Sequence, residues 1–250
     1  MIRLKNVTSG YKNAVILRDI SASFEKGRLT GIIGKNGCGK STLLKTILRI
    51  IPCMQGEITI DEKTLAGMSR NDIAQKIALL SQEKSTPDMT AGQLALLGRF
   101  PHLRYPRRYH AKDYEIAQSA MQQMGILELN DKPLVTLSGG MRQNAFIAMA
   151  LAQETDYILL DEPTTHLDIS HQLALMKTLR LLTESGKGVV AVMHDLPLAL
   201  TFSDNILVIN DGSIEDSGAP EEIFRRETLN RLFSVALART ADGNGYYYRY

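Results

Sequence analysis

The sequence predicts an α/β fold in which a small antiparallel sheet lies beside a strand-and-helix core. Residues 29–50, LTGIIGKNGCGKSTLLKTILRI, pass from a short apolar strand through a glycine loop into a helix. Apolar runs of strand length recur at 76–81, 157–161 and 187–193, as expected for strands buried in a core sheet. Residues 2–7, 21–24 and 57–60 instead alternate apolar and polar, with turn residues between them, as half-buried strands do. At 250 residues with 44% hydrophobic content, the chain suits one large domain or two intimate subdomains around a sizeable core.

Composition excludes several classes. With 29 basic and 27 acidic residues the net charge is +2, which does not point to a nucleic-acid protein. Two cysteines, Cys38 and Cys53, make no disulfide framework and suit a reducing compartment. The apolar runs are far short of the roughly 20 residues that cross a bilayer. Arg3 and Lys5 are followed by no apolar segment of signal-peptide type. If the protein works at a membrane, it is expected to be peripheral.

The glycine loop carries the chemistry. Gly34, Lys35, Asn36, Gly37, Cys38, Gly39, Lys40 and Ser41 fit G-x-x-x-x-G-K-[ST], with the strand before and helix after that the motif requires. Small residues let successive backbone N–H groups turn inward around an anion, and the helix that starts near Lys40 adds its positive end. The Lys40 ammonium can reach β- and γ-phosphates, and the Ser41 hydroxyl can ligate Mg²⁺. Cys38 reads either as a reactive thiol or as a small residue that fits the loop, and the second is preferred. Upstream, Tyr11 is placed in a loop after Thr8-Ser9-Gly10, either as ordinary surface or as a face for a nucleotide base.

Downstream, the strand at 76–81 ends at Gln82, where α/β sheets place ligands. Thr90-Ala91-Gly92-Gln93 is a capping-box start for a helix to about Gly98, and a second helix is expected over 111–124, stopped by Gly125. Between them, residues 99–110 are the most basic stretch, with interleaved aromatics. A nucleic-acid surface is one reading, but the near-neutral total charge and two prolines favour an exposed docking loop. Ser138 is a good N-cap before a helix from about Met141 to Gln153, and Gly139 and Gly140 would allow an anion to approach its N-terminus.

The strand at 157–161 ends in Asp161 and Glu162. Adjacent carboxylates there are costly unless they meet cations. Asp161 is the natural Mg²⁺ partner, and Glu162 is placed to polarise an attacking water. His194, at the end of the next core strand, can hydrogen-bond a γ-phosphate. Asp195 caps a helix with Pro197 in its first turn, Asp211-Gly212 turns a final strand pair, and Pro220 starts a C-terminal helix. The Tyr-rich tail from Gly243 onward yields no reading.

Taken in order, the glycine loop, Gln82, LSGG at 137–140, the ILLDEP run and His194 resemble an ATP-binding cassette (ABC) ATPase from about residue 2 to 226. The resemblance implies one ABC ATPase domain over 1–250. It would comprise a RecA-like P-loop NTPase core, an N-terminal antiparallel β subdomain and an inserted helical subdomain over about 85–150. It implies that Tyr11 stacks on adenine, that Gly34–Ser41 with Thr42 hold the phosphates of ATP, and that Ser41 and Gln82 contact Mg²⁺. Asp161 would bind that ion through water, Glu162 would be the general base and His194 would hold the γ-phosphate. It further implies a head-to-tail dimer, with Ser138, Gly139 and Gly140 of one copy closing over ATP held by the other and Asp168 at the interface. Met141 departs from the pattern, since the family usually has Glu or Gln there.

Within that family, Gly98-Arg99-Phe100-Pro101-His102 and Glu162–Ile169, with Gln172 following, resemble ATPase subunits of bacterial importers for iron–siderophore, haem and cobalamin complexes. The implied partners are a polytopic permease docking near 83–108 and, indirectly, a substrate-binding protein. The implied location is peripheral, on the cytoplasmic face of the membrane, and no nucleic acid is expected. The alternatives are a soluble ABC ATPase of iron–sulfur cluster assembly and a nucleic-acid- or ribosome-associated ABC protein.

Overall fold

In the computed structural model, which describes residues 1–11, 14–81, 86–165 and 167–249, every strand foreseen from periodicity is present. The order is β1 (Ile2–Tyr11), β2 (Ala14–Phe24), β3 (Leu29–Gly34), α1 (Lys40–Ile47), β4 (Cys53–Ile60), β5 (Lys63–Thr64), α2 (Arg70–Ala74), β6 (Ile77–Leu80) and α3 (Ala91–Leu97). Next come α4 (Ala111–Gln123), α5 (Gly139–Ala152), β7 (Tyr157–Asp161), α6 (Ile169–Glu184), β8 (Gly188–Val192) and α7 (Leu196–Phe202). The chain closes with β9 (Asn205–Asn210), β10 (Ser213–Gly218), α8 (Pro220–Arg225), α9 (Thr228–Phe233), β11 (Leu237–Arg239) and β12 (Tyr246–Tyr248).

The central sheet has the order β10-β9-β3-β8-β7-β6, parallel except for the β9–β10 hairpin. Its strands are apolar on both faces because both are covered. Leu29, Ile33, Ile158, Leu160, Val189, Ala191, Ile206 and Val208 point to one side, where α3 to α8 pack. The alternate residues Ile32, Leu159, Val190, Val192, Leu207 and Ile209 point to the other side, against α1 and a four-stranded antiparallel sheet of order β2-β1-β4-β5.

Helices α3, α4 and α5 pack on one another through Leu94, Ala95, Ala117, Met121, Ala145 and Phe146. Thr90 caps α3 in a reciprocal capping box with Gln93, and Gly125, at φ 64°, follows the end of α4. Gln153, just past α5, ties this unit to the core by donating to the Ala74 and Ile77 carbonyls, the latter at 3.2 Å.

Three expectations are corrected. Tyr11 ends strand β1 and is not in a loop, because pairing with β2 continues to Tyr11–Ala14. Helix α5 starts at Gly139 rather than Met141, since the Ser138 side chain caps it directly, accepting from Met141 N–H at 3.3 Å. Arg99 is not part of an exposed loop. It is 5% exposed, with its guanidinium on Asp113 at 3.1 Å, Glu154 at 2.7 Å and the Ala152 carbonyl at 2.8 Å. Tyr105, by contrast, is almost fully exposed. The C-terminal tail forms the β11–β12 hairpin, docked by Tyr246 against Phe224 and by a Tyr248 hydroxyl that accepts from Leu196 N–H.

Candidate functional site

The carboxyl ends of β3, β8 and β7 lie side by side, with β8 between the other two. Open α/β sheets bind ligands at such strand ends. Here three loops converge: 34–41 after β3, Asp161-Glu162 at the end of β7, and Met193-His194 after β8. They enclose a cleft of about 430 Å³ lined by Ile16, Asn36, Gly37, Gly39, Lys40, Ser41, Thr42, Glu162 and His194. A larger hollow, about 520 Å³ between the antiparallel sheet and β9–β10, has Arg3 and Glu25 as its charged lining residues and holds no glycine loop or strand-end acid pair.

The loop conformation follows from its residues. Gly39 precedes α1 at φ 109°, which L side chains rarely adopt, and a Cβ there would lie 2.6 Å from Leu17 Cδ2. Lys40 is buried, and its ammonium donates to the carbonyls of Gly34 at 2.7 Å and Lys35 at 3.0 Å, so the charge is held over the loop. Cys38 is buried against the same loop, and burial pushes its thiol up, which supports the small-residue reading over the reactive one.

The second residue of α1 meets the end of β7. Ser41 Oγ donates to Asp161 Oδ1 at 3.0 Å. Burial pushes the Asp161 carboxyl above its ordinary value. The Ser41 hydrogen bond opposes this, and the neighbouring Glu162 charge adds to it. Glu162 follows in the left-handed region at φ 52°, and its Oε1 lies 2.5 Å from His194 Nε2.

The structure therefore brings together Gly34 to Thr42, Asp161, Glu162 and His194. Tyr11 is half exposed at the end of β1 and does not line the cleft. Gln82 lies outside the described residues. Ser138, Gly139, Gly140 and Asp168 do not line the cleft either. Ser138 and Gly139 are exposed, and Gly140 borders a separate hollow of about 190 Å³ with His171. Sequence reading missed Ile16, which β2 carries to the loop, because nothing local to residues 14–20 marks it. It also missed His171, although its place three residues after Asp168 is N-cap spacing.

Residues 17–165, more than half of the chain, match the ABC transporter family model. The chain belongs to the ABC transporter family. A domain of this family implies nucleotide binding, and the sheet and helices described above form its RecA-like P-loop core. The ferric enterobactin transport ATP-binding protein FepC of Escherichia coli (strain K12) is 40% identical over 236 residues, 94% of this chain and 87% of that protein. The iron(3+)-hydroxamate import ATP-binding protein FhuC of Bacillus subtilis (strain 168) is 40% identical over 228 residues, 90% of this chain and 85% of that one. Among solved structures, a chain described as belonging to a metal-chelate type ABC transporter in an inward-facing conformation superposes with a TM-score of 0.85. It is 27% identical, and the match covers 99% of this chain and 96% of that one.

Proposed function

We propose that this protein is the ATP-hydrolysing subunit of an ABC importer for ferric siderophores or a related metal chelate. The carrying observation is the 40% identity to a ferric enterobactin transport subunit across 94% of the chain. In this reading Lys40 and the loop N–H groups hold the β- and γ-phosphates, with Thr42 beside them and Tyr11 toward the base. The Ser41 hydroxyl and Asp161 carboxylate, 3.0 Å apart, are hard oxygen donors that fit Mg²⁺, with Gln82 as a further ligand. That ion would neutralise phosphate charge. Glu162 accepts the proton of the attacking water, and His194 donates to the γ-phosphate and fixes the Glu162 carboxylate.

The chain works as two copies, head to tail. Ser138, Gly139 and Gly140 of one copy close over ATP held by the other, with Asp168 at the seam. The absence of these residues from the chain's own cleft supports that arrangement. A polytopic permease docks at 83–108. Exposed Leu97, Phe100 and Tyr105 support this, as does a neighbouring hollow of about 380 Å³ lined by Leu48, Ile50, Ile73, Ile77 and Leu79. Among the described residues no helix is long and apolar enough to cross a membrane, which suits a peripheral subunit at the cytoplasmic face, served by a separate substrate-binding protein.

Co-purification of the tagged Glu162→Gln form from gently solubilised membranes tests the reading. A polytopic permease of a metal-chelate system is the expected partner. A soluble scaffold or ribosomes, with no membrane protein, would overturn transport and leave the ATPase.

A further inference from the structure

The signature turn at 138–140 and the loop after β7 belong to different parts of the fold, one at the start of α5 and the other leading into α6. The His171 side chain joins them at their tips. Asp168 caps α6, and its carboxylate accepts from the His171 N–H at 2.9 Å and the Ser170 hydroxyl at 2.7 Å. His171 Nδ1 lies 2.8 Å from both Asp168 carboxylate oxygens. An ionised carboxylate only accepts, so Nδ1 carries a proton and the ring orientation is fixed. The opposite edge of that ring fills the space beside Gly140. A Cβ on Gly140 would stand 2.4 Å from His171 Cδ2 and 2.7 Å from Nε2, so the ring fits only against glycine.

Two further contacts brace the same junction. One turn into α5, Gln143 Nε2 donates to the Pro163 carbonyl at 3.0 Å. Gln172 Nε2 donates to the Leu167 carbonyl at 2.9 Å and to Thr164 at 3.3 Å, which ties the loop to α6. His171 itself is about half exposed. An exposed side-chain contact of this kind contributes little to stability, so its place beside the Gly140 turn points to another role.

We propose that His171 is a positioning residue for the half of the ATP site that acts on the other copy: its ring clamps Asp168 to the Gly140 turn, so both present one rigid surface to nucleotide held by the partner. This rests on the head-to-tail reading above. Loosening the clamp would leave the chain's own cleft intact, because none of the cleft residues touches His171 in these contacts. It would raise the cost of ordering two separate loops when the dimer closes.

The test uses Glu162→Gln as parent, with His171→Ala and His171→Asn added singly. MgATP binding to the monomer at low protein concentration is read by a fluorescent ATP analogue. ATP-driven dimerisation is read by analytical ultracentrifugation, and folding by thermal melting. His171→Ala is expected to weaken ATP-driven dimerisation about tenfold, with monomer binding and melting unchanged. His171→Asn, which keeps a donor for Asp168, is expected to recover part of that loss. Dimerisation equal to the parent overturns the proposal. So does an equal loss of monomer binding, or a large drop in melting temperature, since either makes the residue merely structural. A parent that stays monomeric with ATP overturns the head-to-tail reading, and the proposal with it.

Discussion

His194 Nε2 stands 2.5 Å from Glu162 Oε1, and both side chains line the cleft beside the glycine loop. The sheet produces this contact. Strands β7 and β8 are parallel neighbours in which Asp161 pairs with Val192, so the residues just beyond each strand end emerge together. Glu162 then turns into the left-handed region, where a non-glycine residue costs about 1 kcal/mol or more, and this directs its carboxylate toward His194.

Replacing Glu162 by Gln keeps the size and a hydrogen-bonding oxygen but removes the base. ATP binding should persist, while turnover falls about 10²-fold or more. Steady-state phosphate release and equilibrium ATP binding, measured on the same preparation, check this. Wild-type turnover in the variant would remove Glu162 from the chemistry.

Ser41→Ala deletes the hydroxyl that meets Asp161 and leaves that buried carboxylate without its donor. The Mg²⁺ concentration for half-maximal turnover at fixed ATP should rise about tenfold or more. The fold should survive, since Ala is a good helix former at this position in α1. An unchanged Mg²⁺ requirement would separate Ser41 from the metal.

What could be read from the sequence was local. The strand–loop–helix at 29–50, the Thr90 capping box and the acids ending β7 each lie within one short contiguous stretch, and their spacing carries their geometry. Meetings of distant residues were not legible. Arg99 looked like surface because the sequence shows a charge but not its partners at 113 and 154. Tyr11 looked like loop because Ser9 and Gly10 read as turn residues. In the fold Ser9 is buried with its hydroxyl 2.8 Å from Thr46 Oγ1, and Gly10 lies where the facing Ala14 carbonyl leaves no room for a Cβ. The Tyr tail has strands of three residues, too short for periodicity. Its order comes from Phe224, Glu221 and the Leu196 N–H.

Asp61 lies at the end of β4, on the Met1 amine at 2.6 Å, Lys26 at 3.3 Å and the Tyr157 hydroxyl at 3.1 Å. Burial alone would raise its carboxyl. The hydrogen bonds from the amine, Tyr157 and Lys26 outweigh that and hold it down at about 2. A depressed carboxylate stabilises the fold above its unfolded value near 4, and the contribution is lost as pH falls through 2. Asp61→Asn should cost about 1–2 kcal/mol at pH 7 after screening of a part-exposed cluster, with the difference from wild type shrinking between pH 4 and 2. Urea midpoints across that range check it. A gap that stays constant with pH would mean the carboxylate's charge does not matter.

Arg99 gives the sharpest stability prediction, because its three partners lie on two helices and the turn that follows the second. Its guanidinium reaches Asp113 in α4, the Ala152 carbonyl at the end of α5, and Glu154 just beyond, from a position just past α3. Asp113 is itself buried. Burial would raise its carboxyl, and the His110 N–H and Arg99 together hold it below the usual range. Removing one member of a buried pair strands the other charge, at a cost of about 3–5 kcal/mol, whereas replacing both with apolar groups can be nearly neutral. Arg99→Ala should therefore destabilise by that amount. Arg99→Met with Asp113→Leu should recover much of it, less the loss of the Asp113 cap on α4. Arg99→Lys should recover little, because an ammonium cannot reproduce a fork that serves three acceptors at once. Chemical denaturation of the three variants decides it. If Arg99→Lys matched wild type, the planar geometry would be irrelevant and a single buried charge would be enough to hold α3, α4 and α5 together.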